Sequence, residues 1–126
     1  MFGLNSDSDP EIVMFDPLTH HIHSYPSPKN MRILNHMGVV LLTDRLIYLS
    51  GGINKQCSEI SNEFMEYDPI ANSFSYLNSM HHRRYTHCLA YTHGRLYALG
   101  GRTYGEGMNG LLSTCEMYNF STRAWT

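Results

Sequence analysis

Hydrophobic residues in this chain come in short runs. Glycine, proline, asparagine, aspartate and serine cut them off before a helical period can develop, so the pattern predicts strands and turns throughout. Two runs stand out. Arg45 to Gly52 reads Arg-Leu-Ile-Tyr-Leu-Ser-Gly-Gly, and Gly94 to Gly101 reads Gly-Arg-Leu-Tyr-Ala-Leu-Gly-Gly, with 49 positions from Gly51 to Gly100. A second frame recurs at nearly the same interval. Phe15-Asp16-Pro17, Tyr67-Asp68-Pro69 and Tyr118-Asn119-Phe120 start 52 and 51 positions apart, and each is followed seven positions later by Ile22, Phe74 or Trp125. The chain is built on a repeat of about fifty residues.

One period reads as four strands: a from His87 to Thr92, b from Arg95 to Leu99, c from Ser113 to Tyr118 and d from Arg123 to Thr126. The preceding period gives His36 to Leu42, Leu46 to Ser50, Glu63 to Tyr67 and Ser73 to Leu77. Strands c and d form a hairpin. Asp68 can accept a local backbone hydrogen bond, Pro69 presets φ, and Asn72 tolerates the left-handed conformation at which the chain reverses. Phe15-Asp16-Pro17 repeats that chemistry, whereas Asn119-Phe120 lacks the proline and should be the least fixed of the three. The pairs Gly51-Gly52 and Gly100-Gly101 suit strand ends with positive φ or a close backbone approach, where a side chain would clash.

Composition narrows the class. At 126 residues, 42% of them hydrophobic, the chain can bury a core, and a net charge of -2 gives no global drive toward nucleic acid or an anionic membrane. Cys57, Cys88 and Cys115 are odd in number, widely spaced and unaccompanied by a secretory segment, so reduced thiols and a cytoplasmic location are expected. No membrane-spanning run is present.

An Arg and a His ahead of an apolar strand, then Leu-Tyr-x-Leu-Gly-Gly, then Glu-x-Tyr-(Asp or Asn) and an aromatic seven positions on, resemble the kelch repeat. The residues are Arg84, His87, Leu96, Tyr97, Gly100, Gly101, Glu116, Tyr118 and Trp125, with Arg32, His36, Ile47, Tyr48, Gly51, Gly52, Glu66, Tyr67 and Phe74 as the earlier copy. The resemblance implies an all-β fold of four-stranded antiparallel β-propeller blades, with strand b near the axis and d at the rim. Stacked blades would bury the pairs Tyr67 with Phe74 and Tyr118 with Trp125.

Laying Phe2-Gly3-Leu4-Asn5 on Gly51-Gly52-Ile53-Asn54 divides the chain into a half blade of strands c and d (1–28) and two blades (29–78 and 79–126). Such an open arc of about two and a half blades is expected to belong to a longer chain. Closed propellers have about four to eight blades. Alone, the arc should be marginal or self-associating, because closure is what covers faces and edges.

The histidines His20, His21 and His23, and His81, His82, His87 and His93, lack the spacing of a zinc site and read as exposed or turn residues. His36 and His87 read as equivalent, with a structural hydrogen-bonding role within each blade. Gly105, Gly107 and Gly110 lie between strands, supplying flexibility rather than a phosphate cradle. No nucleophile motif or catalytic dyad is evident, so no cofactor, metal or catalytic residue is expected.

From Asn78 to Gly105 the chain carries Arg83, Arg84, Arg95 and Arg102 and no acidic residue. In kelch propellers the connections holding Arg83, Arg84 and Arg102 form one mouth of the ring, which resembles the usual partner-binding surface. The expected partner is a protein or peptide, acidic or phosphorylated, bound by Arg83, Arg84 and Arg102 with Tyr85, Tyr104 and Asn54 beside them. The resemblance implies a non-enzymatic interaction module, such as the substrate-recognition part of a BTB-kelch ubiquitin-ligase adaptor. The alternatives are an actin-binding kelch protein or part of a kelch-scaffold enzyme such as a galactose-oxidase-like copper oxidase.

Overall fold

The computed structural model describes residues 11–42, 45–105 and 107–126. The alignment of Phe2-Gly3-Leu4-Asn5 lies outside them. A hairpin comes first, β1 (Glu11–Asp16) and β2 (His21–Pro26). The first four-stranded sheet uses β3 (Gly38–Leu42), β4 (Leu46–Ser50), β7 (Phe64–Asp68) and β8 (Ser73–Leu77). Between β4 and β7 the loop folds into a ribbon of β5 (Ile53–Asn54) and β6 (Glu59–Ile60). The second sheet uses β9 (Cys88–Thr92), β10 (Arg95–Leu99), β11 (Cys115–Asn119) and β12 (Ala124–Trp125), with one 3-10 turn at Gly107–Gly110. All pairs are antiparallel, and the strand orders are β3-β4-β7-β8 and β9-β10-β11-β12.

That order corrects one expectation. Strand a, not b, lies at the inner edge of each sheet, and the sheets converge along β3 and β9. Gly38 makes this approach possible, since a Cβ there would sit 2.9 Å from Leu89 Cγ.

Two apolar clusters flank the first sheet. Tyr48, Phe64 and Leu42 face Leu89, Leu96, Ala98, Tyr118 and Trp125 of the second sheet. Phe64 meets Tyr118 and Trp125 edge-on at 4.8 and 5.0 Å between centroids. On the other face Ile47, Leu49, Met65 and Tyr67 pack against Met31, with Ile33 and Met37 from the segment leading into β3. The pairs Tyr67↔Phe74 and Tyr118↔Trp125 are in direct register, and each tyrosine is buried against the preceding part of the chain.

The three hairpin turns are alike. Oδ1 of Asp16, Asp68 and Asn119 accepts from the backbone N of Leu18 at 2.9 Å, Ile70 at 3.0 Å and Ser121 at 2.8 Å. The left-handed residue follows at His20, Asn72 or Arg123. Loss of proline at Phe120 leaves the last turn in the same form, because the side-chain acceptor sets the geometry.

The glycine pairs share positive φ but not surroundings. A Cβ on Gly51 (φ +63) would lie 2.2 Å from Arg84 O, whereas one on Gly100 (φ +62) would meet only Leu112 O at 3.5 Å. The expected clash therefore holds at Gly51, at Gly52 and at Gly101, where a Cβ would lie 2.6 Å from Tyr85 O, and not at Gly100.

Candidate functional site

The loops after β4 and β10 and the segment before β9 meet at one end of the two sheets, around the β5-β6 ribbon. Ile53 exchanges two backbone hydrogen bonds with Asn35, and Arg102 does the same with Tyr85 at 2.8 and 2.9 Å. The Arg102 loop closes through Thr103 N to Gly110 O at 2.8 Å and Leu112 N to Gly101 O at 2.9 Å. It is a fastened loop, not the freely flexible one expected from its glycines.

Ile60 is the hub. Its amide donates to the Tyr104 hydroxyl at 2.9 Å, and its carbonyl accepts from Arg83 Nη1 at 2.9 Å. Both phenol and guanidinium come from the second repeat, so the second repeat's loops are buttoned onto the first repeat's ribbon. Tyr104 remains 55% exposed. Arg83 and Arg102 are exposed, and Tyr85 is half-buried with its ring centroid 6.5 Å from that of His36. Asn54 is half-buried, accepts from Gln56 N at 3.0 Å, and pairs with Glu59 in the ribbon. Asn54, Arg83 and Tyr104 lie in or bind this ribbon, and with Tyr85 and Arg102, which bridge each other in the adjoining loops, these five of the six expected contact residues keep exposed surface.

Arg84 does not. It is 0% exposed, and its guanidinium donates to Gly100 O (2.9 Å), Thr114 O (3.1 Å) and Glu116 Oε2 (2.9 Å). Glu116 in turn accepts from the backbone N of His81 and His82 at 2.6 and 3.0 Å. These partners offset the burial of both charges, and Arg84 Nε alone of the guanidinium nitrogens is buried without a hydrogen bond. The expectation that Arg84 contacts a partner is corrected: it is a structural residue.

Ladder registers also correct the repeat alignment. The bridges Asn35↔Ile53 and Tyr85↔Arg102, and the left-handed residues His36 and Thr86, are equivalent. Hence His36 corresponds to Thr86, Met37 to His87 and Leu34 to Arg84. Met65, not Glu66, occupies the place of Glu116, since Leu49↔Met65 matches Ala98↔Glu116. His87 is buried between the sheets with Nε2 2.7 Å from Ser50 Oγ, whereas His36 is exposed. Burial, and secondarily the charge of Arg84, pushes the His87 pKa down to about 4.

Sequence reading missed Ile60 and Ser61, both buried in a polar loop. An isolated isoleucine between Glu59 and Ser61 was the available signal. His21 and His23 stand 6.2 Å apart between ring centroids, and among the described residues no three His, Cys, Asp or Glu side chains are grouped to hold a metal ion. Among the described residues no helix is long and apolar enough to cross a membrane.

Comparison with known proteins agrees with this architecture. Kelch repeat and BTB domain-containing protein 8 of Homo sapiens is 33% identical over 118 residues, covering 88% of this chain and 19% of the relative. Kelch repeat and BTB domain-containing protein 13 of Homo sapiens is 33% identical over 89 residues, 71% of this chain and 18% of the relative. An F-box/kelch-repeat protein of Arabidopsis thaliana is 32% identical over 80 residues, 64% of this chain and 16% of the relative. The chain spans about one fifth of the length of these relatives. The Kelch motif itself matches residues 36–81 and 83–126, which coincide with the two four-stranded sheets and their loops, and the chain belongs to the kelch-repeat family.

Proposed function

We propose that this chain is a protein-interaction module whose contact surface is the loop end around Ile60. The observation that supports the reading is that Arg83 and Tyr104 of the second repeat bind Ile60 in the first repeat's ribbon, which also holds Asn54, while Tyr85 and Arg102 bridge each other in the adjoining loops. Rigid strands hold loops that differ in sequence between repeats, an arrangement suited to recognition. Exposed arginines beside a tethered tyrosine favour a partner with carboxylates or phosphates, because guanidinium groups pair with both in two-pronged geometry.

The finer reading is substrate recognition within a BTB-kelch ubiquitin-ligase adaptor. It is supported by relatives whose names pair kelch repeats with a BTB or an F-box designation. The residue groups 1–28, 29–78 and 79–126 are then successive pieces of one propeller completed by further blades. Cys57, Cys88 and Cys115 are free and exposed, which suits a reducing cytoplasm.

The direct test is binding of fluorescein-labelled Asp/Glu-rich and phosphoserine peptides to the chain, compared with Arg83→Glu plus Arg102→Glu. Loss of binding by tenfold or more is expected with the circular dichroism of the parent retained, while the lost Arg83–Ile60 hydrogen bond lowers stability by about 1 kcal/mol. Equal binding by the double variant would remove the arginine patch from the mechanism. For the adaptor reading, a coding sequence with no BTB segment upstream would count against it.

A further inference from the structure

At the outer corner of each repeat, the tyrosine of β7 or β11 meets the left-handed residue of the hairpin turn. In the first repeat the two satisfy each other. The Tyr67 hydroxyl donates to Oδ1 of Asn72 at 2.9 Å, and asparagine is among the few residues at ease with the backbone there (φ 49). Ladder register makes Tyr118 the counterpart of Tyr67, and the turn makes Arg123 (φ 57) the counterpart of Asn72. An arginine side chain carries donors and no acceptor. The exchange therefore takes away the acceptor and sets a second donor in its place.

The consequence falls on Tyr118. Its ring packs against Phe64, Phe120 and Trp125 and the residue is only 2% exposed, yet its hydroxyl makes no hydrogen bond among the described residues, and neither does the Arg123 guanidinium. The charge of Arg123 reaches the phenol, whereas Glu66, the acidic group that also acts on it, accepts from the Tyr48 hydroxyl at 2.6 Å. Both Tyr118 and Arg123 line a cleft of about 240 Å³, walled otherwise by Tyr76, Leu77 and Asn78 at the end of β8. Its frame is tied on both sides: Arg123 N donates to Asn119 O at 2.7 Å, Asn78 Nδ2 to Arg123 O, and Trp125 Nε1 to Asn78 O at 2.9 Å. The cleft lies between the two sheets, so a further unit stacked on an outer face does not fill it.

One cation and one hydroxyl beside a partly apolar wall suit a single negative charge spread over two oxygens. We infer that this cleft binds a carboxylate, which accepts from Arg123 and from the Tyr118 hydroxyl and rests a short hydrocarbon stem on Leu77. The second charge of a phosphate would meet no second cation, because Arg123 is the only charged residue among the described residues lining the cleft. The site shares no residue with the loop end around Ile60 and does not depend on it.

The test is a proton–nitrogen correlation NMR titration of the chain with butyrate at constant ionic strength, following the Arg123 Nε–H and Trp125 Nε1–H signals, with butanol as the neutral control. Both signals should move together and saturate in the millimolar range with butyrate, as suits so small a ligand, and should not saturate with butanol. Arg123→Asn rebuilds the corner of the first repeat. It should abolish the saturating Trp125 shift, and the restored tyrosine bond should raise the melting temperature by several degrees. Tyr118→Phe keeps the ring packing and should weaken butyrate binding about fivefold, the loss of one hydrogen bond; it carries the comparison if Arg123→Asn alters the circular dichroism. A parent that never saturates, equal binding by either variant, or an equal response to butanol would each overturn the proposal. Blocked glutamate, N-acetyl-glutamate N-methylamide, identifies the source: binding tighter than that of butyrate assigns the site to an acidic side chain of a partner, weaker binding assigns it to a free short-chain acid, and either result upholds the carboxylate site.

Discussion

In the second repeat the space between the entry to the first strand and the third strand holds a guanidinium and a carboxylate, Arg84 and Glu116. In the first repeat Leu34 and Met65 stand at the same two positions, and all four residues are buried. The difference lies in what surrounds them. Arg84 and Glu116 bind two backbone carbonyls and two backbone amides, so the ion pair ties together the segment before the second sheet, the turn after β10 and the entry to β11. Leu34 and Met65 fill the corresponding volume without gathering any backbone group. A buried ion pair is seldom a net source of stability relative to packed hydrocarbon, but it fixes the geometry of whatever it binds. The more rigidly organised loop end is therefore the one that carries Arg83 and Tyr104.

The largest expected effect comes from breaking the pair on one side. Glu116→Ala leaves Arg84 buried and unpaired and should cost about 3–5 kcal/mol by denaturant titration. Arg84→Leu combined with Glu116→Met transplants the first repeat's solution. It should recover part of the loss, remaining below the parent because the His81 and His82 amides lose their acceptor, at roughly 1–3 kcal/mol. A double variant no better than Glu116→Ala would mean that the two repeats are not interchangeable at these positions.

The glycine pairs sharpen the same contrast. Alanine at Gly100 meets only the backbone cost of positive φ, about 1–2 kcal/mol. Alanine at Gly51 adds overlap with Arg84 O, which raises the loss by about 1–3 kcal/mol for overpacking. Equal melting temperatures for the two variants would contradict the close approach at Gly51.

His87 supplies a pH signature to the seam between the sheets. Its folded pKa of about 4 lies below the unfolded value of 6.5, so the unfolded chain binds the proton first as pH falls. The contribution is fully present above pH 6.5 and is lost between 6.5 and about 4, on the order of 3 kcal/mol over that window. The depressed Asp16 and Asp68 carboxyls act lower, below their ordinary value of 3.8. Held by backbone amides at Leu18 and by Arg45 respectively, they leave the window of His87 separate. Replacing His87 with Gln should flatten the melting temperature between pH 6.5 and 4, and an unchanged slope would place the titrating group elsewhere.

Local features were legible in the sequence because each is set by a few adjacent residues. The hairpin turns follow from Asp16, Asp68 and Asn119, strand b from Leu46 to Ser50 and Arg95 to Leu99, and positive φ from the glycine pairs. Features set between segments far apart in the chain were not. The role of Arg84 depends on Glu116 in a distant strand, and the equivalence of His87 with Met37 emerges only from ladder register. The importance of Ile60 arises from side chains more than twenty positions away that reach its backbone. Motif matching aligned Arg32 with Arg84 and Glu66 with Glu116 by residue type, whereas the structure aligns by backbone conformation and facing direction.

Trp125 is the only tryptophan in the chain, and it sits in the seam, with its ring against Phe64 and its Nε1 donating to Asn78 O at 2.9 Å. Its indole is thus anchored by one repeat while belonging to the other. Fluorescence from this residue is a built-in reporter of whether the two sheets remain together, and it would redden on their separation even if each sheet kept its strands.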